Sequence, residues 1–551
     1  MFIPLLEVAG NSEPAEYGSM GYMSFIYEVM EGVGLQLTLS TFLSIMVVFF
    51  VLKGFFVYYS SYYQVMILNM FIRKQRLDVL EKLVDLDYKS FIQADAGRIQ
   101  NTLSAEVDRV AQGASSYFRT IQQGVLVLVY VGFAFVIDAQ FALLVSIGGV
   151  LTNFLYQIVY RYTVGESRLL TSNNSMYQGQ VVQFVLNFKY LKATAVVYRF
   201  KEIMTKTIFM IENNRRKMGV LNSLLTGARE PILIAVIAII IYIQVELIGA
   251  ALGGILISLV FFYRALSALT QMQTTWNAYL SVAGSMENMQ SFQNEMQQGI
   301  EALGPVDQAI FKNKIQCKQA FFKYGHDYVL KDINITIAKN STVAFVGESG
   351  SGKTTLINVL SSLLSFTEGD LYVDDSNIRN LSKVSYRKKI GYITQEPVIF
   401  TDTIFNNITL WSEPTKESID NFRMVCQQAS ILDFIESLDD KEFTFLGNNG
   451  INLSGGQKQR ISIARELFKG CEILIFDEAT SALDSQTEKQ IQDNIFELKG
   501  RYTVIMIAHR LSTIKNADQI YYLKEGKIVA HGNFDELVAN SDDFRKSVQL
   551  N

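Results

Sequence analysis

The sequence predicts two modules of different class: an all-α bundle of membrane-spanning helices over residues 1–300 and an α/β domain over residues 311–551, joined by a linker at 301–310. Three observations predict this. Apolar runs of bilayer-crossing length crowd the N-terminal half. Past Gly304-Pro305 the pattern changes to short apolar strands alternating with polar helices. One of those strands runs directly into a glycine-rich loop that ends in Lys353-Thr354.

At 551 residues the chain exceeds what one hydrophobic core usually organises, so more than one domain is expected. Hydrophobic residues make up 49% and charged residues 19%, apolar for a soluble protein of this size and too polar for a pure membrane bundle. The net charge of -4 is small and no basic patch with interleaved aromatics occurs, which speaks against a nucleic-acid partner. Cys317, Cys426 and Cys471 are scattered without metal-ligand spacing and read as reduced cytosolic thiols.

The N-terminal module comes first. The apolar runs give five predicted spans at about 35–58, 119–138, 140–162, 230–248 and 250–271. The second and third come from one long run, interrupted by Asp138 and Gln140 where a tight external turn would sit. Buried helices of a large soluble core are the competing reading, and the near-uniform apolarity of 232–243 and 255–262 counts against it. Lysine and arginine set the orientation. Arg73, Lys74, Arg76, Lys82, Lys89, Arg98 and Arg109 fall in loop 63–118, and Lys189, Lys192, Arg199, Lys201, Lys206, Arg215, Arg216 and Lys217 fall in loop 163–228. Both loops are therefore expected to be cytoplasmic, each a helix, a reversal and a helix, with turns near 87–95 and 183–189.

Residues 1–34 carry Glu7, Glu13, Glu16, Glu28 and Glu31 but no lysine or arginine, so this segment is expected outside. Five spans are then one short of six. Met1–Leu6 reads as the outer end of a lost first helix, through truncation or a misassigned start, and a true five-span chain is the alternative.

Ionisable residues at membrane depth are candidate functional sites. Lys53 interrupts the first span, Arg229 begins the fourth and Arg264 lies inside the fifth. Snorkelling or helix anchoring is the plainer reading of Lys53 and Arg229 and suits Arg264 less well. Together the three cations form a candidate substrate cavity for an anionic head group, such as the pyrophosphate of a lipid-linked sugar.

In the second module, the predicted strand Val343–Val346 leads into Gly347-Glu348-Ser349-Gly350-Ser351-Gly352-Lys353-Thr354, followed by Thr355. This matches the P-loop pattern at every fixed position, a match expected by chance in roughly 2% of chains this long. Glycines let consecutive N–H groups and a helix N-terminus face phosphate oxygens, the lysine reaches the β- and γ-phosphates, and the Thr354 hydroxyl is offered to Mg²⁺. Ile473-Leu474-Ile475-Phe476-Asp477-Glu478 is a buried strand ending in two carboxylates. Beside a P-loop, Asp477 is the candidate holder of the Mg²⁺ shell and Glu478 the candidate base for the attacking water.

Leu453-Ser454-Gly455-Gly456-Gln457, followed by Lys458-Gln459-Arg460, resembles the signature of ABC transporter nucleotide-binding domains. The resemblance covers about 311–551 and implies the remaining assignments. Tyr324 matches the aromatic that stacks on adenine, Gln395 the glutamine that touches Mg²⁺ and water, Asp484 the D-loop aspartate of Ser481-Ala482-Leu483-Asp484, and His509 the switch histidine that contacts the γ-phosphate. It also implies that the loop tips are coupling helices pressing on the ATPase domain, and that the signature closes on ATP held by a second chain, a copy of this one or a homologous half-transporter. Gly447-Asn448-Asn449-Gly450 departs from the acidic and basic residues that exporters often carry there.

A membrane module placed before the ATPase module, with long cytoplasmic loops, resembles the exporter class, and import is set aside on layout alone. The resemblance implies ATP-dependent export or flipping of an amphipathic or lipid-linked substrate by a multi-pass membrane protein, sited in the cell (inner) membrane if the source is bacterial, with its ATPase domain in the cytoplasm. Multidrug or peptide export stays open as an alternative. So does, from another class, an ATP-gated channel or regulatory protein, against which the intact Glu478 speaks.

Overall fold

The structure is a computed structural model that describes residues 39–137, 139–243, 246, 252–302, 304, 306, 310–477, 499–508 and 514–549; the side chains of some helical residues, Arg229 among them, lie outside that description. The chain divides into two compact units, one of Met1–Leu86 with Ser90–Ile300 and one of Asp87–Lys89 with Glu301–Asn551.

The first unit is helical. In chain order the helices up to residue 300 are α1 (Leu39–Val84), α2 (Tyr88–Gln93, its first two residues counted with the second unit), α3 (Ala96–Asn101), a π-helical turn at Thr102–Glu106, α4 (Val107–Ile137), α5 (Ala139–Leu186), α6 (Phe188–Ala193), α7 (Val197–Tyr242), α8 (Leu252–Leu280) and α9 (Ala283–Gln298). Three of these are very long: α1 and α7 have 46 residues each and α5 has 48. At 1.5 Å per residue such a helix is about 70 Å long, against roughly 30 Å of hydrocarbon, so more than half of each must project beyond the membrane. The short helices α2 and α6 join the far ends of these projections. The first reversal falls where the sequence places it, with the Asp95 side chain capping α3 by accepting from the Arg98 amide at 2.7 Å. The second comes later than expected. Residues 181–186 contain no helix breaker, so α5 runs on to Leu186 and the chain turns after α6, where Ala195 takes a left-handed φ of 56°.

Two apolar clusters hold the bundle. Ala134, Ile237, Ile240, Phe262 and Leu266 pack together at membrane depth, and Val79, Val107, Val110, Met289, Phe292 and Met296 pack among the projecting segments. By contrast Phe49, Phe50, Phe55 and Phe56 on α1 are all more than half exposed, as a surface facing lipid tolerates and one facing water does not. Among the described residues, Leu43–Val84, Ala96–Val136 and Val197–Tyr242 are long and apolar enough to cross a membrane. The span expected at 140–162 lies on α5 and nearly all of that expected at 250–271 on α8, and many of their side chains fall outside the description.

The second unit is α/β. It runs through β1 (Lys314–Lys323), β2 (Tyr328–Ala338), β3 (Thr342–Gly347), α10 (Lys353–Leu360), β4 (Glu368–Val373), β5 (Ser376–Asn377), α11 (Lys383–Lys388), β6 (Ile390–Ile393), α12 (Ile404–Thr409), α13 (Lys416–Gln428), α14 (Leu432–Glu436), α15 (Gly455–Phe468), β7 (Ile473–Asp477), β8 (Thr503–Ile507), β9 (Gln519–Lys524), β10 (Lys527–Gly532), α16 (Phe534–Asn540) and α17 (Asp542–Gln549). A four-stranded antiparallel sheet in the order β2-β1-β4-β5 lies beside a six-stranded sheet in the order β10-β9-β3-β8-β7-β6, parallel throughout except for β10. Every residue of β3 is buried, as are all of β8 and the first four of β7, which explains why these strands read as continuous rather than alternating apolar runs.

Candidate functional site

The order of the parallel strands assembles the site. In such sheets ligands bind beyond the carboxyl ends of the strands, and β3, β8, β7 and β6 are consecutive neighbours there. Phe345 pairs with Ile507, Ile507 with Asp477, and Phe476 with Ile393, so the segments that follow emerge side by side. These segments are the P-loop after β3, Ala508 after β8, Asp477 at the end of β7, and Gln395 two residues after β6. Glu478, His509 and the D-loop Asp484 themselves lie outside the described residues.

The P-loop is shaped for a phosphate chain. A Cβ on Gly347 would lie 2.2 Å from the Leu523 carbonyl oxygen and 2.8 Å from Ser351 Oγ, so only glycine fits between the strands and the loop. Gly352 begins the helix with φ at 101°, a left-handed value that side chains disfavour. Lys353 is buried, and its ammonium donates to the Gly347 and Glu348 carbonyls at 2.8 and 2.9 Å, pinning both sides of the loop. Ser351 Oγ is buried without a hydrogen-bond partner, while Thr354 on the first turn of α10 is exposed. A buried hydroxyl awaiting a partner, a helix N-terminus and a lysine fit a nucleotide polyphosphate, and the Thr354 hydroxyl and Asp477 carboxylate are hard oxygen donors that fit Mg²⁺. Tyr324, at 40% exposure, stands edge-on to Phe322 with ring centroids 4.9 Å apart and keeps a face open for stacking.

Gln395 is exposed in the loop after β6. On that strand, Tyr392 donates from its hydroxyl to Asp477 Oδ2 at 3.1 Å. Burial and the adjacent Asp477 carboxylate push the phenol's pKa up, which keeps the hydroxyl a donor. The thiol of Cys471, just before β7, is pushed by burial up to about 12, so it stays protonated at neutral pH.

The signature is a helix start. Ser454 caps α15, its hydroxyl accepting from the Gln457 amide at 3.3 Å while the Gln457 side chain accepts from the Ser454 amide at 2.8 Å. This reciprocal pair leaves Gly455 and Gly456 on the first turn of the helix. The unusual 447–450 stretch forms a 3₁₀ turn tied to the same helix, since Lys458 donates to the Asn449 carbonyl at 2.7 Å. Further along α15, the buried Arg465 donates to the carbonyls of Asn407 and Val398 at 2.6 and 2.9 Å and lies 5.3 Å from the Phe400 ring centre. Sequence reasoning missed Tyr392 and Arg465. The tyrosine on the strand leading to Gln395 was the available signal for the first; nothing local marks the second.

The membrane cations are only partly described. Lys53 is exposed with its ammonium 5.7 Å above the Phe50 ring, and Arg264 is exposed on α8. Neither makes an ion pair among the described residues, and no contact brings the two together. The Arg229 side chain lies outside the description.

Comparison with known proteins agrees with this geometry. The family described as "ABC transporter transmembrane region" matches residues 17–274, and the family described as "ABC transporter" matches residues 330–481. An ATP-dependent lipid A-core flippase of Francisella novicida is 29% identical over 520 residues, covering 91% of this chain and 86% of that one. The heterocyst differentiation ATP-binding protein HepA of a Nostoc species is 30% identical over 473 residues, covering 86% and 78%. In fold, a solved bacterial Atm1-family ABC exporter with ATP bound superposes with a TM-score of 0.77 at 22% identity, covering 96% of this chain and 94% of that one. The chain belongs to the ABC transporter family and is a multi-pass membrane protein in which an α/β domain hydrolyses ATP to drive transport.

Proposed function

We propose that two copies of this chain form one exporter that flips an anionic, lipid-linked amphiphile across the inner membrane, with both ATPase domains in the cytoplasm. The observation that carries the substrate class is the pair of exposed cations Lys53 and Arg264 on otherwise apolar helices, with no carboxylate partner among the described residues. An unpaired cation at that depth is costly unless it meets an anion. The flippase similarity over most of the chain supports the same reading. Loops 63–118 and 163–228 lie in the cytoplasm on this view, each tipped by a short helix.

At the ATP site the P-loop amides and Lys353 bind the phosphate chain, Tyr324 stacks on the base, and Glu478 takes a proton from the attacking water with His509 beside the terminal phosphate. Thr354, Gln395 and Asp477 hold Mg²⁺, which when bound offsets the charge that builds on the phosphates. Ser454 and the first turn of α15 face the nucleotide held by the second copy, because an exposed helix N-terminus with its own first turn already capped is suited to anions from outside its own domain.

The test is ATPase stimulation of the purified protein in lipid vesicles. An anionic lipid-linked saccharide should stimulate turnover, and Lys53→Ala with Arg264→Ala should remove that stimulation while leaving basal turnover. Stimulation by neutral amphipathic drugs alone would refute the substrate class.

A further inference from the structure

Strands β6 and β7 are parallel neighbours, and Tyr392 stands in register with Ile475, two residues before Asp477. Residues two apart on a strand share a face and lie about 6.6 Å apart along it, close to the reach of a phenol lying along the sheet. The Tyr392 ring therefore spans that offset, and its hydroxyl meets Asp477 Oδ2 at 3.1 Å. The other side of Tyr392 is also anchored: its backbone amide donates to the partly buried Glu466 carboxylate of α15. One residue thus touches the helix that begins with the signature, the strand that leads to Gln395, and the carboxylate at the end of β7.

We propose that Tyr392 is a positioning residue for the metal step: its hydroxyl fixes the orientation of the Asp477 carboxylate, and with it the affinity of the site for the divalent cation that accompanies ATP. The inference rests on the reading of Asp477 as a metal-holding residue. A hydrogen bond to a ligating carboxylate orients it and withholds one lone pair from competition, and losing such a partner costs roughly tenfold or more in metal affinity. Tyr392 does this from the strand whose end carries Gln395, so a movement of that loop is transmitted to Asp477 through a single bond.

The experiment uses the full-length protein in detergent or nanodiscs and compares wild type, Tyr392→Phe and Asp477→Asn. Phenylalanine keeps the partly buried ring and removes only the hydroxyl. Mn²⁺ binding in the presence of a non-hydrolysed ATP analogue is followed by electron paramagnetic resonance, alongside nucleotide binding without metal and the thermal midpoint. Tyr392→Phe should weaken Mn²⁺ by roughly tenfold and raise the Mg²⁺ concentration for half-maximal ATPase by a similar factor, with metal-free nucleotide binding unchanged. Unchanged Mn²⁺ affinity in Tyr392→Phe, whether or not the thermal midpoint falls, would overturn the proposal and leave the hydroxyl a packing feature. If Asp477→Asn also kept wild-type Mn²⁺ affinity, the assignment of Asp477 itself would fail.

Discussion

Asn288 donates to the Glu106 carboxylate at 2.7 Å, joining α9 to the π-helical turn before α4 across 182 positions of sequence. Glu106 has no solvent exposure and also accepts from Asn101 and Thr102 at 2.9 and 3.3 Å. Arg98 extends the network, donating to Asn288 Oδ1 at 2.9 Å and to Glu295 at 2.7 Å. A buried carboxylate that loses a donor keeps its desolvation cost without the compensating bond. Asn288→Ala should therefore lower stability by about 1–3 kcal/mol. Thermal unfolding of the purified protein checks this, and a double mutant with Glu106→Gln should show the two changes to be non-additive.

Asp374 closes the start of β1 by accepting from three backbone amides, those of Lys312, Asn313 and Lys314, at 2.7 to 2.8 Å. Burial pushes its pKa up, but the three amides and Lys339 outweigh that and hold the carboxyl below its ordinary value. A depressed folded value means stability that is fully present above the unfolded value of about 3.9 and lost as pH falls through the lower folded one. Asp374→Asn should be less stable at neutral pH and should flatten the loss of stability below about pH 4. Thermal midpoints measured from pH 3 to pH 7 test both limbs.

Gly347→Ala should disable the ATPase domain. Its Cβ would meet the Leu523 carbonyl oxygen at 2.2 Å, a backbone atom inside the parallel sheet that has little room to yield. The expected cost is about 2 kcal/mol or more, with loss of nucleotide binding. A fluorescent ATP analogue titrated against the purified variant reads the effect.

Lys353 and Glu478 should separate binding from chemistry. Lys353→Ala removes both the phosphate cation and the two carbonyl bonds that shape the loop, so ATP affinity should fall by roughly tenfold or more. Glu478→Gln should bind ATP normally and lose roughly 10²- to 10⁴-fold in turnover. Full turnover in Glu478→Gln would remove that residue from its assigned role.

The sequence alone determined the two fold classes, the family and the segments that carry phosphate chemistry, because each is written in contiguous residues. The strand, the glycine loop and the first turn of α10 are neighbours along the chain, and so are Ser454 and Gln457, whose capping bonds span three positions. Tertiary structure alone decided the supporting contacts. Tyr392 and Asp477 are 85 positions apart, Arg465 and Asn407 are 58 apart, and Asn288 and Glu106 are 182 apart. Such partners are chosen by strand order and helix packing, and no local pattern encodes which strand lies next to which or which turn of a 70 Å helix faces a given neighbour. Where α5 ends shows the same division: its apolar run foretold a long helix, but only the packed hairpin, with Phe184 against Phe188 and Phe200, fixed where the chain turns back.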